Sequence, residues 1–567
     1  MMQNKKYLVR IGILVLAFYL YSTIVSWLTR YDYNGSGGLI YRLIGWGVFL
    51  FLLVRFGRKL FKGTTTQGPT RRNTDHGSAH WASFDDFYLA NNPNKASAGL
   101  VLGVAGLVRP KQGHLITVAG TGSGKGACLI IPTLLNEPTG SFVVTDPKGE
   151  NACITARSQV QYGQNVYILD PWGEQQRIGA RHGIEAAGFN PFDFIKMNVE
   201  ELRDNCEQVA NLLVPDRPGD KDPYWNDRSR TLIKTLMMHI ITWLPPDEHN
   251  FWTLYKMLRY SAKDWTALLL EMGDNPADDG IISIASQEFL GLEEAGGSTM
   301  ASIRSTAQTA TSIFESPQLR RSLETSDFNP FDLTDGKTTV YIVIPERYLE
   351  THSTWLRMVI GLCLSACNAK PNKRVTYMLD EFAVMGKMKD VQKAFAFARG
   401  QNIVMWFFAQ NLSQIKEIYG EDGMNTFIGN AALLLCFGGM KDQYTTQYFS
   451  KAYGKTTASK LVRTHGHTSS RDSSSTTTSN SWQTYEKDLV SPDEIEAAKE
   501  VIFYIGEGHR FVHKKQPWFR NMFEGISHDH PELTKENAKI IKSGNLPQDG
   551  WHEYYIKQAD PAPRVYE

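Results

Sequence analysis

Seven short apolar runs recur between residues 114 and 438, separated by helical or turn-rich stretches. They are HLITVA (114–119), SFVVTD (141–146), NVYILD (165–170), TTVYIVI (338–344), VTYMLD (375–380), NIVMWFFAQ (402–410) and ALLLCFG (432–438). Continuous apolar strands of this length are typical of parallel sheets that are buried on both faces. Such sheets bind ligands at the carboxyl ends of their strands, where this chain has Asp146, Asp170, Asp380 and Gln410. The pattern predicts an α/β fold.

Between residues 195 and 320 the apolar residues follow helical spacing instead, as in VEELRDNCEQVANLLV and FWTLYKMLRYSAKDWTALLLEM. This pattern predicts an all-helical domain over 195–320, inserted into an α/β domain formed by 63–194 and 321–523. The pentapeptide FNPFD occurs twice, at 189–193 and 328–332. Because Asn-Pro favours a turn, we expect each copy to mark a crossing between the two domains.

Two segments near the carboxyl terminus are poor in apolar residues. Residues 464–484, THGHTSSRDSSSTTTSNSWQT, are mostly Ser and Thr, which predicts a flexible surface loop, since little apolar area is available to offset the entropy of ordering. The strand-like segment EVIFYIGEGHRFVH follows. Residues 524–567 form a polar tail that we expect to lie on the surface or to bind a partner.

The amino-terminal residues 1–62 contain two long apolar segments. Residues 11–28 carry no charge, and residues 39–54 are interrupted only by Arg42, so each is about long enough to span a bilayer. Basic residues flank the pair on its outer sides: Lys5, Lys6 and Arg10 before it, and Arg55, Arg58, Lys59 and Lys62 after it. This distribution predicts a membrane anchor of two transmembrane helices with both outer flanks and the main body in the cytoplasm. A signal peptide followed by a buried helix is the alternative, but no small-x-small cleavage site follows the first segment.

Composition adds two constraints. With 567 residues the chain has room for more than one domain, and its formal net charge of +1 means that any nucleic-acid surface must be a local patch. The six cysteines are scattered without a Cys-x-x-Cys pair, which favours core residues in a reducing compartment over a disulfide framework.

The segment VAGTGSGKGA (118–127) is a candidate phosphate-binding loop. It departs from the pattern G-x-x-x-x-G-K-[ST] at Ala119 and Gly126. A predicted strand precedes it and a predicted helix follows it, which is the setting that directs backbone N–H groups onto phosphates. Lys125 keeps the position from which an ammonium reaches the β and γ phosphates. The predicted nucleotide-binding residues are Gly120, Thr121, Gly122, Ser123, Gly124, Lys125, Gly126 and Ala127.

A second motif, VTYMLDEF, has the form of a Walker B element. We predict that Asp380 holds Mg²⁺ through water and that Glu381 acts as the general base toward the attacking water. Gly126 lacks the hydroxyl that usually ligates Mg²⁺, so water or a hydroxyl of Thr121 or Ser123 would substitute. Gln410 is placed to sense the γ-phosphate, or else it is an ordinary polar residue at a strand end. The predicted cofactors are ATP and Mg²⁺.

Eight motifs in this order carry a family resemblance: HGSAHWAS, GTGSGKG, VVTDPKGEN, NVYILDP, FNPFD, MLDEFAVMGKM, FFAQNLSQI and LVSPDEI. Together they resemble the type IV secretion coupling proteins of the TraG/TraD type. The resemblance runs from the two predicted membrane helices to about residue 512. It also accounts for the unusual loop, because GKG is a familiar variant in this family.

The resemblance implies a RecA-like P-loop NTPase domain with the helical insertion, anchored in the bacterial inner membrane and assembled as a hexameric ring. It implies that Arg399 is an arginine finger for the neighbouring subunit; a surface arginine without a role is the alternative. The implied partners are further copies of the chain, channel components of the secretion system, single-stranded DNA, and a relaxase–DNA complex or effector proteins. The implied function is coupling such cargo to the channel by ATP hydrolysis.

The sequence contains no motif that reads DNA bases. Two stretches, YWNDRSRTLIKTL and GKMKDVQKAF, bring basic residues together, either on a solvated helix face or along a pore that contacts phosphates. Two other functions stay open at this point. One is a septal-type translocase of double-stranded DNA, although no winged-helix pattern follows residue 512. The other is a substrate receptor whose nucleotide site only stabilises assembly.

Overall fold

The structure is a computed structural model of the chain. It describes residues 76–81, 100–101, 107–108, 113–136, 140–215, 223–470, 473–506 and 508–515. The segments predicted to cross the membrane, 11–28 and 39–54, and the tail 524–567 lie outside these residues. Among the residues described, no helix combines the length and hydropathy needed to cross a bilayer. The chain divides into two compact units, Met1–Ser78 and Ala79–Glu567, and the elements below belong to the second.

The strands form one large sheet and two small antiparallel pairs. In chain order the strands are β1 (Leu100–Val101), β2 (Leu107–Val108), β3 (His114–Val118), β4 (Ser141–Asp146), β5 (Asn165–Leu169), β6 (Thr338–Val343), β7 (Val375–Leu379), β8 (Ile403–Ala409), β9 (Ala431–Phe437), β10 (Lys455–Ser470), β11 (Ser473–Asp488), β12 (Val501–Gly506) and β13 (His509–Lys514). The large sheet has nine strands in the order β13-β12-β9-β3-β8-β7-β4-β6-β5. Strand β1 pairs with β2, and β10 pairs with β11.

Each of the seven apolar runs forms one strand of the large sheet, and these seven strands are parallel. The central strands β3, β4, β6, β7 and β8 are buried along their whole length. The predicted α/β fold is confirmed. The segment EVIFYIGEGHRFVH supplies β12 and β13, which extend the sheet beyond β9 in the antiparallel sense.

Helices cover the sheet and build the inserted region. In chain order the α-helices are α1 (Ile131–Leu135), α2 (Glu150–Gln161), α3 (Glu174–Arg177), α4 (Pro191–Ile195), α5 (Leu202–Leu213), α6 (Tyr224–Trp243), α7 (Phe251–Leu258), α8 (Ala262–Gly273), α9 (Ile281–Glu294), α10 (Ser298–Ala310), α11 (Pro317–Ser322), α12 (Glu346–Leu349), α13 (Ser353–Ala369), α14 (Lys389–Phe397), α15 (Leu412–Asn430), α16 (Gln443–Tyr453) and α17 (Pro492–Ala497). Between Val199 and Ser322 the described residues form helices and turns without a strand.

The two FNPFD copies lie side by side where the chain enters and leaves the helical region. In each copy the asparagine side chain (Asn190 or Asn329) accepts a hydrogen bond from the backbone N–H two residues on, which caps the next helical turn. The first phenylalanines of the two copies, Phe189 and Phe328, have ring centroids 5.6 Å apart. The repeated pentapeptide therefore joins the two connections by direct contact.

The helical region and the sheet share one apolar core. Leu212 of α5 packs directly on Gly361 of α13, and a Cβ atom added at Gly361 would lie 2.6 Å from Leu212 Cδ2. Buried residues of α5, α6 and α9 belong to the same cluster as those of β6, β7 and β8. The two regions are thus in tight packing contact.

The loop predicted over 464–484 is corrected by the structure, in which those described residues belong to the antiparallel hairpin β10–β11. Each strand has sixteen residues, and the pairing runs from Lys455 opposite Asp488 to Ser470 opposite Ser473. A hairpin satisfies its backbone groups by cross-strand hydrogen bonds, so it forms with little apolar burial. Threonine also favours strands, so a low apolar content does not rule out a hairpin.

Candidate nucleotide-binding site

The glycine-rich loop connects β3 to α1 at the carboxyl edge of the parallel strands. Backbone N–H of Ala119 donates to the carbonyl of Ala409 at 2.9 Å, which holds the start of the loop against β8. Gly122 and Gly124 have φ of 70° and 90°, values that residues with a Cβ rarely adopt. A Cβ built at Gly120, Gly122 or Gly126 would meet nothing within 4 Å. The glycine face of the loop is therefore open.

A wide helical turn follows the loop. Residues 126–130 form a π-type turn in which Ile131 N–H donates to the Gly126 carbonyl, and α1 continues from there. Pro132 has no N–H to donate to the carbonyl four residues earlier, and a normal helical turn would bring its ring against that carbonyl. The wider turn accommodates Pro132 while keeping the loop at the beginning of a helix.

Four of the predicted site residues lie in one cluster. Lys125 Nζ is 2.7 Å from Asp380 Oδ1 and 2.5 Å from Glu381 Oε1. The second carboxylate oxygen of Glu381 accepts a hydrogen bond from Gln410 Nε2 at 3.1 Å. The glycine-rich loop, the Walker B strand and the next strand in the sheet thus present their polar ends to one another.

Burial and charge act in opposite directions in this cluster. Burial alone would lower the pKa of Lys125, but the nearby carboxylates of Asp380 and Glu381 outweigh it, and the pKa lies above the ordinary value of 10.5. Burial raises the pKa of Asp380 above its ordinary value, although the Lys125 ammonium opposes that shift. Lys125 is therefore a cation at neutral pH whose charge is already balanced by two carboxyl groups.

The backbone at the end of β7 directs Glu381 toward Lys125. Thr145 Oγ1 donates to the Asp380 carbonyl at 3.0 Å, which attaches the end of β4 to this turn. Glu381 has φ 53° and ψ 40°, in the left-handed region, and its N–H donates to Asp380 Oδ1 at 3.0 Å. Such a conformation costs a non-glycine residue on the order of 1 kcal/mol and is typical of functional sites.

A buried arginine supports the segment after Glu381. Arg357 of α13 donates from Nη1 to the Met385 carbonyl at 3.1 Å and from Nε to the Leu212 carbonyl at 3.0 Å. One guanidinium therefore joins the Walker B segment to the last turn of α5 in the helical region. Arg357 was not predicted as a site residue, although it is the single charged residue of α13.

A repeated pattern, D-P-x-G-E, was also missed, although it is visible in the sequence at 146–150 and 170–174. Each aspartate accepts hydrogen bonds from the first backbone N–H groups of the following helix: Asp146 from Ala152, and Asp170 from Glu174 and Gln175. The side chain of Gln175 donates to the Gly149 carbonyl at 2.8 Å and so joins the two loops. The two D-P-x-G-E loops are therefore held together at this end of β4 and β5.

The remaining predicted residues lie outside this cluster, and Arg399 is at the opposite end of β8 from Gln410. Arg399 belongs to the short turn 398–401, directly before β8, and its role stays a prediction. A cleft of about 600 Å³ lies between α5 and the segment that follows Glu381. Lys387 and Lys389, from the basic stretch GKMKDVQKAF, line this cleft together with Glu207. The cleft therefore carries charges of both signs.

Residues 81–544 match the protein family described as Type IV secretory system Conjugative DNA transfer. The chain belongs to this family. A Conjugal transfer protein TraG of Escherichia coli is 25% identical over 550 residues, which cover 86% of this chain and 81% of that protein. The Type IV secretion system-coupling protein VirD4 of Bartonella henselae is 25% identical over 70% of this chain and 61% of its own length. The resemblance inferred from the motifs is thereby confirmed.

Solved structures of the plasmid coupling protein TrwB have the same fold. The complex of TrwB with the ATP analogue ADPNP has a TM-score of 0.57 at 16% identity, covering 80% of this chain and 95% of TrwB. The complex with ADP and Mg²⁺ has a TM-score of 0.56 at 15% identity and covers 98% of TrwB. This likeness shows that the chain has the TrwB fold.

Proposed function

We propose that this protein is an inner-membrane ATPase that couples cargo to a type IV secretion channel and drives or gates its transfer by ATP hydrolysis. The observation that carries the proposal is the cluster of Lys125, Asp380, Glu381 and Gln410 beside an open glycine-rich loop. The family match and the ligands named for TrwB, ADPNP and ADP with Mg²⁺, support the same assignment.

The residues present fit a nucleotide with Mg²⁺. The open glycine face leaves backbone N–H groups free of side chains above them, and Lys125 provides an ammonium at the end of the loop. Ser123 Oγ is buried and has no hydrogen-bond partner among the described residues, whereas Thr121 is exposed. Ser123 is therefore our candidate for the hydroxyl missing at Gly126. Asp380 would hold Mg²⁺ through water, and the metal would supply charge neutralisation at the phosphates.

The side chains divide the chemistry among them. Lys125 would exchange its carboxylate partners for phosphate oxygens, which frees Glu381 to accept a proton from the attacking water. Gln410 keeps one carboxylate oxygen of Glu381 fixed and leaves the other available. The left-handed backbone of Glu381 holds its carboxylate in that position before substrate arrives.

Assembly as a ring would complete the site. We propose a hexamer in which Arg399 of one subunit reaches the nucleotide of the next, because a guanidinium stabilises the charge that develops on transferred phosphate. The proposed location is the inner membrane, with segments 11–28 and 39–54 crossing it. The proposed cargo is relaxase-bound single-stranded DNA, effector proteins, or both.

The test is ATP hydrolysis and cargo transfer by two variants of the full-length protein. Lys125→Ala removes the phosphate contact, and Glu381→Gln keeps the shape of the side chain but removes the base. Each is expected to lower kcat by about 100-fold or more, since positioned general bases contribute 10²–10⁴-fold. Transfer should be lost in both variants, while membrane insertion stays normal.

Matched controls are Lys263→Ala and Glu417→Gln, which change the same residue types at exposed helical positions. Both should hydrolyse and transfer at the rate of the unmodified protein. Full transfer by Lys125→Ala or Glu381→Gln would refute a motor. Cargo binding without measurable turnover in the unmodified protein would support a receptor whose nucleotide site only stabilises assembly.

A further inference from the structure

The hairpin β10–β11 has a charge distribution unlike that of the whole chain. Between residues 459 and 485 the sequence contains three cations, Lys460, Arg463 and Arg471, and a single carboxylate, Asp472. Most of the other residues are Ser, Thr, Asn, Gln and His, which donate hydrogen bonds. The segment is therefore rich in hydrogen-bond donors and poor in carboxylates, whereas the end of the hairpin contains Glu486 and Asp488.

One face of the hairpin combines an exposed indole with basic and polar groups. Leu461 pairs with Trp482, Arg463 with Asn480 and His465 with Thr478, and because side chains alternate along strands these three pairs lie on the same face. All six side chains are exposed, and Trp482 is 71% exposed. No carboxylate belongs to these pairs. We call this set the Trp482 face.

We propose that the Trp482 face binds single-stranded nucleic acid, with a base stacked on Trp482 and a phosphate bound by Arg463. This inference rests on the proposed function, since it assumes that DNA is a cargo. An exposed indole offers a flat surface that any unpaired base can stack on, whereas bases within a duplex are covered by their neighbours. Arg463 lies in the next pair toward the turn, two residues from Leu461, so a stacked strand would pass close to its guanidinium.

The charge of the face favours this partner over a protein. A polyanion with regularly spaced phosphates gains from Arg463 and from the three pairs of the Trp482 face, which contain no carboxylate. The carboxylates on the same side of the hairpin, Glu486 and Asp488, lie nearer its base, where Glu486 forms an ion pair with Lys455. A peptide that added to the edge of the hairpin would bind through backbone groups, and it would contact side chains of both faces in alternation. The opposite face has Lys460, Val462, Ser481 and Gln483. Its exposed ring, Tyr485, pairs with Ala458 nearer the base of the hairpin and is less exposed than Trp482, at 45% against 71%.

The experiment measures binding of a fluorescent oligothymidylate to the full-length protein in lipid nanodiscs at several salt concentrations. Trp482→Ala is expected to weaken binding by about tenfold, because one base–aromatic stack is lost. Arg463→Ala is expected to make the dependence of log K on log salt shallower by about 0.7, the value for one phosphate contact of a single strand. Trp482→Phe keeps an aromatic ring and should restore most of the affinity.

Gln483→Ala and Ser481→Ala, on the opposite face, are the matched controls and should bind like the unmodified protein. The proposal would be overturned if Trp482→Ala and Arg463→Ala bound the oligonucleotide with the same affinity and the same salt dependence as the unmodified protein. An equal loss of oligonucleotide affinity in Gln483→Ala would also overturn it, as would a duplex whose affinity falls as much as that of the single strand in Trp482→Ala. A third contradicting result is weaker binding of a cargo protein by these variants while oligonucleotide binding stays unchanged. Basal ATP hydrolysis should persist in all hairpin variants, so a failure here is separate from a failure of the proposed function.

Discussion

Asp146 is buried at the end of β4, and burial raises its pKa to about 7. Because this lies above the ordinary value of 3.8, the folded protein binds the proton more tightly than the unfolded chain does. The stabilising contribution of Asp146 is complete below about pH 4 and is lost as the pH rises through about 7. Asp146→Asn keeps an oxygen that can accept from Ala152 N–H. We expect the variant to lose less free energy of unfolding than the unmodified protein between pH 4 and pH 7.

Urea denaturation at a series of pH values measures this difference. If the free energy of unfolding changed with pH in the same way in Asp146→Asn and in the unmodified protein, the raised pKa of Asp146 would be contradicted. The same comparison removes the contributions of other buried carboxyl groups, such as Asp170 and Asp380, since both proteins contain them.

The sequence was sufficient to predict that Lys125, Asp380, Glu381 and Gln410 lie close together, because each ends or follows an apolar run. It could not supply the residues that support them. The bond from Thr145 to the Asp380 carbonyl joins positions 235 residues apart, and only the strand order brings them together. Local patterns contain no information about such contacts.

At the scale of elements, Arg357 connects α13, α5 and the segment after Glu381. Arg357→Met would keep much of the side-chain volume but leave the carbonyls of Leu212 and Met385 without this donor, at a cost of about 1–3 kcal/mol for a buried acceptor. We expect a lower melting temperature and a lower kcat for ATP, because the turn that positions Glu381 loses its support. KM for ATP should change little, since Arg357 is not among the loop residues.

Arg357→Lys retains one donor and should recover part of the lost kcat. Steady-state kinetics and thermal unfolding, measured on the same preparations, separate the two effects. A lower melting temperature with kcat unchanged would assign Arg357 a purely structural role.

Elements differed in how far sequence could predict them. The runs that became β3 to β9 are apolar because they are buried, so their pattern directly reflects their environment. Most of the side chains that the structure describes in the hairpin β10–β11 are exposed, and its two strands pair with each other. The spacing of apolar residues therefore does not predict this hairpin. It also does not predict that β12 pairs with β9 in the antiparallel sense.

At the scale of the whole molecule, the contact of Leu212 with Gly361 makes the helical region and the sheet interdependent. Gly361→Val would force a methyl group into the space of Leu212, a change that costs about 1–3 kcal/mol in a packed core. Gly291→Val in α9 is the control, because a Cβ there meets nothing within 4 Å. The control should be neutral or slightly stabilising, since valine is a better helix former than glycine.

Urea denaturation followed by circular dichroism compares the two variants. We expect Gly361→Val to lower the midpoint and the transition to stay single, because the shared core couples both regions. Two separated transitions in the unmodified protein would show that the helical region folds independently of the sheet.

The left-handed backbone of Glu381 has a consequence for anyone who engineers this protein. A selection for heat resistance alone would favour glycine or asparagine at this position, since both tolerate that conformation better than glutamate. Because Glu381 is the proposed general base, we expect such substitutions to lower ATP hydrolysis. At position 381 the backbone conformation and the proposed catalytic role thus favour different residues, and a library built on this chain should hold Glu381 constant.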